Sequence, residues 1–440
     1  MHPHTPRPGR FGPRGPLRGT AAVPGDKSIS HRALIVAALA CGQSEISGLS
    51  EGEDVLATLA AMRAFGARIE RQGERWSVEG VGVGGLLQPE AALDLSNSGT
   101  SARLLMGLVA SHDLTATFVG DASLSRRPMA RVIAPLTRLG AAFSASPGGR
   151  LPLTVRGLHP AAPLLHRMEV ASAQVKSALL LAALNTPGVT RILEPVPTRD
   201  HSERMLAAAG ADIWSEDTAE GRLISLRGET ALRPQRIVVP RDPSQAAFLL
   251  VAALIVPGSE VCVEGVGINP TRTGLFDMLR EMGADLTVAN PREMSGEPVA
   301  DITARHCALR AVDVPPELAP AMIDEFPIFF IAAAFAQGTT RTSGLEELRV
   351  KESDRLAAMA QGLRAIGVPV EEAADGLAVT GTGGDRLPGG GTIDPRLDHR
   401  IAMAFAVAGL AARQPIGIAD MRPADTSFPD FAATLEGLTA

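Results

Sequence analysis

The chain has 440 residues, enough for about two domains or one large unit built from repeats, and its 45% hydrophobic content can fill a sizeable core. A net charge of −6, 3% aromatic residues and no tyrosine argue against a general attraction to nucleic acid or anionic membranes, and against base-stacking platforms. Three scattered cysteines (Cys41, Cys262 and Cys307) without CxxC spacing argue against a disulfide framework or structural zinc, and the apolar runs fall short of the ~20 residues that span a bilayer.

The N-terminal MHPHTPRPGRFGPRGP is basic and rich in proline and glycine. It lacks the apolar core of a signal peptide, so residues 1–14 are expected to form a flexible tail, its His-Pro-His included. The first strongly apolar run, SISHRALIVAALACG, begins near Ser28, and similar runs begin near Ser98, Ser172, Ser244, Asp324 and Asp398, about 70 to 80 residues apart. A helix apolar on nearly every face belongs inside a protein. Each of these six opens with polar residues, so buried helices are predicted whose N-termini face polar ground.

A second pattern lies between them: an amphipathic helix ending at glycine, followed by a short strand. It occurs around Gly66, Gly140, Gly210, Gly283 and Gly367, where a helix C-cap calls for the left-handed conformation. Each unit then reads strand, apolar helix, strand, amphipathic helix, strand. Six units divide into two halves that begin alike, Val23-Pro-Gly-Asp-Lys-Ser28 and Val239-Pro-Arg-Asp-Pro-Ser244. The predicted domains are residues 25–239, and residues 15–24 with 240–440, the site lying in the cleft where the halves face each other. Buried helices with sheets outside invert the usual α/β layering.

Helix N-termini offer unpaired N–H groups and a partial positive charge to phosphates and carboxylates. Near them stand Lys27, Ser28, Arg32, Asn97, Thr100, Arg103, Ser172, Gln174, Lys176 and Arg400, and the loops before the amphipathic helices add Arg126, Arg127, Arg199, Lys351 and Arg355. So many cations at equivalent positions of an acidic chain imply a small, multiply charged anionic substrate. Asp324-Glu325 and Glu352 supply carboxylates beside these cations, suited to general acid and base work. Ser244 has the repeat's shape but little of its chemistry, and hinge and packing are its expected roles. Gly80-Val-Gly82-Val-Gly-Gly85 fits GxGxxG but runs into Pro89 with no helix, Gly381–Gly391 reads as a loop, and Pro24–Ser28 lacks the full P-loop pattern. Cys41 and Cys262 are read as a helix end and a strand, not as exposed nucleophiles.

GDKSISHRA from Gly25, NSGTSAR from Asn97, RRPM from Arg126, SAQVKS from Ser172, DEFP, RVKESDR and DHRIAM together resemble the enolpyruvyl transferases, over nearly everything beyond the first fifteen residues. The shikimate branch fits best, and Arg199–Glu203 and Asn269–Arg272 are similar to its bacterial class II. The resemblance implies an α/β fold, an inside-out α/β barrel of two domains, each of three βαβαβ-type repeats with buried apolar helices. It also implies transfer of the enolpyruvyl group of phosphoenolpyruvate to the 5-hydroxyl of shikimate 3-phosphate, with no metal or organic cofactor, in a cytoplasmic monomer. By the same resemblance Lys27, Ser28, Arg32, Ser172, Ala173, Gln174, Arg199, Asp324 and Lys351 hold shikimate 3-phosphate, and Lys27, Gly99, Arg127, Gln174, Arg355 and Arg400 surround phosphoenolpyruvate. Asp324, Glu352 and Lys27 are then the catalytic groups, Asp324 taking the proton of the attacking hydroxyl and Glu352 delivering one to the methylene carbon. Glu347 stands where the enterobacterial and plant pattern has Asn, Ser427 where it has Lys, and Gly99 leaves room for glyphosate. The alternative is transfer to UDP-N-acetylglucosamine, which usually goes with Lys-Asn at the place of Lys27-Ser28 and a reactive Cys or Asp in the region of DASLSRRPM. An anion-binding repeat protein without catalysis and an RNA-end cyclase fit less well, the first leaving Asp324 and Glu352 without a purpose.

Overall fold

The computed structural model describes residues 5–438. It is mixed α/β and falls into two units. One holds the residues up to Pro24, Arg241–Arg292 and the residues from Pro298 onward; the other holds Gly25–Pro240 and Glu293–Glu297. Each unit has its own hydrophobic core.

The six apolar runs are helices: α1 (Lys27–Leu39), α2 (Gly99–Ala110), α3 (Ala173–Leu184), α4 (Pro243–Ile255), α5 (Phe326–Phe335) and α6 (His399–Leu410). Every residue of α4, α5 and α6 is buried. Side-chain oxygens accept backbone N–H bonds at five of the six starts, which is what an N-cap must supply. Ser98, Ser172 and Asp398 cap α2, α3 and α6. At α1 and α4 the cap lies two residues before the predicted serine, on Asp26 and Asp242, whose carboxylates accept from Ile29 N at 2.9 Å and Ser244 N at 2.8 Å. Among the described residues no side chain caps α5.

The five predicted glycine turns all have positive φ, between 81° and 113°. Each leads into a two-stranded hairpin where a single strand was expected. The hairpins are Arg68–Gln72 with Arg75–Val81, Ala142–Ser146 with Arg150–Arg156, Asp212–Thr218 with Gly221–Arg227, Asp285–Met294 with Glu297–Arg305, and Val370–Glu372 with Leu377–Thr380. The βαβαβ repeat is therefore βαβαββ. The sixth repeat departs further: strands Ala412–Gln414 and Ile416–Ile418 lead into a 3₁₀ turn and a short helix, Phe431–Gly437.

Strands flanking one buried helix pair in parallel, Leu93–Asp94 with Thr115–Val119 around α2 and Leu165–Arg167 with Val189–Glu194 around α3. At the first and fourth repeats these partners are exchanged. Arg18–Ala21, which leads into α1, pairs with Glu260–Gly267, which comes after α4; Arg236–Val238, which leads into α4, pairs with Cys41–Ser47, which comes after α1.

The flexible-tail expectation is corrected beyond the first residues. Gly9–Phe11 form a strand antiparallel to Ile416–Ile418, and Arg7 is held by Asp420 Oδ1 at 3.0 Å through its N–H and by Asp425 at 2.7 Å through its guanidinium. The His-Pro-His of the tail lies outside the described residues. Cys41 opens a strand and is exposed, contrary to its reading as a covered helix end, and Cys262 is partly exposed. No single described helix is long and apolar enough to cross a membrane.

Close approach of α2 and α3 requires Gly107. A Cβ there would lie 2.1 Å from the carbonyl oxygen of Ala178 and 2.5 Å from its Cα. In an exposed helix Gly→Ala stabilises by ~1 kcal/mol. In this crossing the backbone cannot give way locally, so Gly107→Ala should destabilise by about 3 kcal/mol, read as a lower midpoint in urea unfolding. An unchanged or raised midpoint would show that the two helices part freely.

Candidate active site

In the unit containing α1, α2 and α3, the helix starts are tied to one another by polar side chains. Lys27, at the start of α1, donates to Asp54 Oδ2 at 2.9 Å, and both side chains are nearly covered. Arg32, one turn further, is buried and donates to Ser202 Oγ at 2.7 Å, Ser177 Oγ at 2.6 Å and the Ser28 carbonyl at 2.8 Å. Burial lowers its pKa to about 10, against the opposing charges of Glu203 and Asp26. Arg199 contributes a like charge from the loop before the helix His201–Ala208.

Ser98 Oγ is 2.6 Å from Ser101 Oγ, and Ser101 Oγ is 2.6 Å from Thr58 Oγ1, which reaches His31 Nδ1 at 2.7 Å. His31 is held well below its ordinary pKa, first by burial and then by the neighbouring Lys27 and Arg32 charges, so its ring is neutral. Gly99 opens α2 beneath two guanidinium groups: a Cβ there would be 2.7 Å from Arg103 Nη1 and 3.0 Å from Arg127 Nη1. Arg103 donates to Gln174 Oε1 at 3.0 Å, and Gln174 Nε2 donates to Thr100 Oγ1 at 3.0 Å. Arg127 donates to Asn97 Oδ1. Of the Arg126–Arg127 pair only Arg127 is buried. Ser172 caps α3, and the Ala173 carbonyl accepts from Ser177 Oγ at 2.6 Å. Lys27, Ser28, Arg32, Gly99, Arg127, Ser172, Ala173, Gln174 and Arg199 thus surround the N-terminal ends of three buried helices.

The other unit gathers Asp324, Lys351, Glu352, Arg355 and Arg400. Arg355 is among the largest fully buried side chains. It donates to Asp398 Oδ2 at 2.9 Å, to Asp324 Oδ1 at 3.3 Å and to Glu352 Oε2 at 2.5 Å. Burial works against its charge, yet Asp398, Glu352 and Asp324 outweigh it and hold the guanidinium above its ordinary pKa. Lys351 Nζ is 3.8 Å from Asp324 Oδ1. Desolvation pulls its ammonium below the ordinary value, against Asp324 and Glu347. Arg400 donates to the Asp324 carbonyl at 2.9 Å, and Ser353 Oγ donates to Asp398 Oδ2 at 3.0 Å. Asp324 and Glu352 keep 18% and 17% of their side chains accessible, so both carboxylates can meet a ligand while Asp398 cannot.

Two readings change. Lys176 belongs to no anion site: it is fully buried between Glu194 at 3.1 Å and Glu203 at 2.8 Å. Ser244 is not bare of chemistry but sits in a buried ionic cluster with Asp242, Arg272 and Glu325. Ser427 is buried behind the 3₁₀ turn Arg422–Thr426, its hydroxyl without a hydrogen-bond partner among the described residues. The sequence reasoning missed Asp54, Ser177, Ser202 and Asp398 as partners of the site cations. Asp398 could have been found as the acidic residue preceding Arg400 at a helix start. Asp200, His201 and Glu297 also bring ligand-type atoms within 4.8 Å of one another, but Arg204 donates to Asp200 at 2.9 Å and His201 Nδ1 meets Glu297 at 2.7 Å.

A buried lysine facing two carboxylates cannot be neutralised without leaving those charges uncompensated. Lys176→Met is expected to cost about 3–5 kcal/mol of stability, measured by denaturant unfolding, with catalysis by the remaining folded protein retained. A lost activity at unchanged stability would return Lys176 to the site.

Comparison with known proteins supplies an independent reading. Residues 12–435 match the family model for EPSP synthase (3-phosphoshikimate 1-carboxyvinyltransferase). A protein of that second name from Sphingopyxis alaskensis is 62% identical over the full length of both chains, and one from Novosphingobium aromaticivorans is 60% identical over 98% of this chain and 99% of its own. Among solved structures, an EPSP synthase from Acinetobacter baumannii superposes with a TM-score of 0.87 at 43% identity, covering 99% of this chain and 98% of that one.

Proposed function

Because the chain belongs to the EPSP synthase (3-phosphoshikimate 1-carboxyvinyltransferase) family, we propose that it transfers the enolpyruvyl group of phosphoenolpyruvate to the 5-hydroxyl of shikimate 3-phosphate, releasing phosphate. The observation that carries this reading is the pair of accessible carboxylates, Asp324 and Glu352, on one buried guanidinium, Arg355, within a chain related over its whole length to such enzymes.

Both substrates carry a phosphate and a carboxylate. Lys27, Ser28, Arg32, Ser172, Ala173, Gln174, Arg199, Asp324 and Lys351 bind shikimate 3-phosphate; Lys27, Gly99, Arg127, Gln174, Arg355 and Arg400 bind phosphoenolpyruvate. Several of these cations meet the chain's own carboxylates, Lys27 with Asp54 and Lys351 with Asp324, so an incoming anion exchanges one charged partner for another. Such exchange avoids stripping water from a bare cation.

Asp324 takes the proton of the 5-hydroxyl as its oxygen attacks C2 of phosphoenolpyruvate, while Glu352, with Lys27 close to the reacting groups, delivers a proton to the methylene carbon. The tetrahedral adduct then loses phosphate and a methyl proton, which restores the carbon–carbon double bond and gives the enol ether product. Fixed cations stabilise the charge that develops on the leaving phosphate. The finer architecture accords with the same reading: three buried helices per unit with small sheets around them support the inside-out α/β barrel of the family. A cytoplasmic monomer acting on small molecules, without nucleic acid or membrane, completes the proposal.

Phosphate release should be seen with phosphoenolpyruvate and shikimate 3-phosphate and not with UDP-N-acetylglucosamine; the opposite preference would overturn the assignment. Asp324→Asn and Glu352→Gln should each lower kcat by about 10²-fold or more, the range for losing a general acid or base. Turnover within a few-fold of wild type would remove these roles. Gly99→Ala places its methyl group against Arg103 and Arg127. The inhibition constant for glyphosate should then rise well above the KM for phosphoenolpyruvate, and an unaltered constant would show that this glycine is not what leaves room for the inhibitor.

A further inference from the structure

The turn that carries Asp324 is anchored from behind by a second set of charges. Ile323, Asp324 and Glu325 link the short helix Ala319–Met322 to α5. Asp324 and Glu325 are neighbours in the chain, yet their carboxylates are held by different groups. Asp324 meets Lys351 and Arg355, with its carbonyl on Arg400. Glu325 is buried, with 2% of its side chain accessible, and accepts the Ser244 hydroxyl through Oε1. Arg272, 3% accessible, donates to Ser244 Oγ at 2.8 Å and lies 3.6 Å from Glu325 Oε1 and 3.5 Å from Asp242 Oδ1. Asp242 in turn caps α4. Glu325 Oε2 is buried and has no hydrogen-bond partner among the described residues, so the carboxylate is held through its one remaining oxygen.

Burying three charges here costs stability relative to an apolar cluster of the same shape. Packing alone would not call for it. Among the described residues α5 receives no side-chain cap, so its start is not fixed by the device used at the other five helices. What fixes it is the Glu325 backbone, bonded to Met322 O through N at 2.9 Å and to Phe329 N through O at 3.0 Å, and the carboxylate tied to α4.

We infer that Glu325 is a positioning residue for the proposed enolpyruvyl transfer: with Ser244 and Arg272 it locks the 323–325 turn so that Asp324 faces the reacting hydroxyl. The inference rests on the role proposed for Asp324. A carboxylate base displaced by 1 Å can lose about 10²-fold in rate, whereas eight of the nine residues assigned to shikimate 3-phosphate lie outside this turn. Loosening the turn therefore lowers kcat much more than the affinity for shikimate 3-phosphate.

The test compares wild type, Glu325→Gln and Ser244→Ala in the full chain, reading kcat, both KM values, the Kd for shikimate 3-phosphate and Tm. Glu325→Gln keeps the shape and an oxygen to accept from Ser244 but removes the charge facing Arg272. Its kcat is expected to fall tenfold or more, equivalent to about 1.4 kcal/mol in the barrier, with Kd changed less than threefold. Ser244→Ala should give a smaller fall in the same direction, and it decides the matter if Glu325→Gln does not fold. Turnover within twofold of wild type in the folded variants, or a fall in kcat matched by equal losses of affinity and Tm, overturns the inference. Wild type without turnover on these substrates would instead overturn the functional proposal beneath it.

Discussion

A guanidinium with almost no access to water stays charged only where other polar partners replace the water, and for Arg355 those partners are carboxylates. Asp398 meets it from the start of α6, where the same carboxylate accepts the Arg400 backbone N–H at 2.9 Å. One side chain therefore ends a loop, starts a helix and neutralises a charge. Because Arg355 also reaches Asp324 and Glu352, the α6 start, the 351–355 loop and the turn before α5 are fixed to one another by charge. The site residues are positioned by their own electrostatics as much as by packing.

In the other unit Arg32, Arg103 and Arg127 donate to neutral groups. Arg32 is also buried, but its hydrogen-bond partners are two serine hydroxyls and a carbonyl, and its pKa falls to about 10 where that of Arg355 rises. Arg103 donates to the Gln174 amide and Arg127 to the Asn97 amide. Hydroxyls and amides accept from such donors without cancelling the charge, which favours an incoming anion. Where carboxylates compensate the cations, Asp324 and Glu352 stay partly accessible.

Much of this was legible in the sequence because the repeat is local. Apolar runs, polar helix starts and glycine turns are read within a dozen residues, and they place all six buried helices. The hairpins were less legible because their outer strands lack alternation; in Asp285–Met294 nearly every residue faces solvent, and nothing apolar marks a strand. Long-range pairing was hidden altogether. Lys176 resembles the site lysines until Glu194, 18 residues on, and Glu203 are brought against it. Gly9–Phe11 reads as tail because the strand it joins lies at the opposite end of the chain. Ser244 reads as bare of chemistry because Arg272 and Glu325 come from two other segments.

The buried helices also explain why the chemistry sits where it does. A helix surrounded on all sides has little face left for polar groups, so its sides are mostly apolar, as the unbroken burial of α4, α5 and α6 shows, and small where two helices cross closely, as at Gly107 against Ala178. Polar function is then confined to the ends, and of the two ends only the N-terminal one combines free N–H donors with positive potential. Anion binding is the chemistry such ends support without added side chains. The cations and carboxylates of this chain extend that tendency: each stands within a turn of a helix start or in a loop bonded to one. Gly99 is where the two demands meet, because the first residue of α2 must stay bare for Arg103 and Arg127 to close over it while the rest of the helix stays apolar for the core.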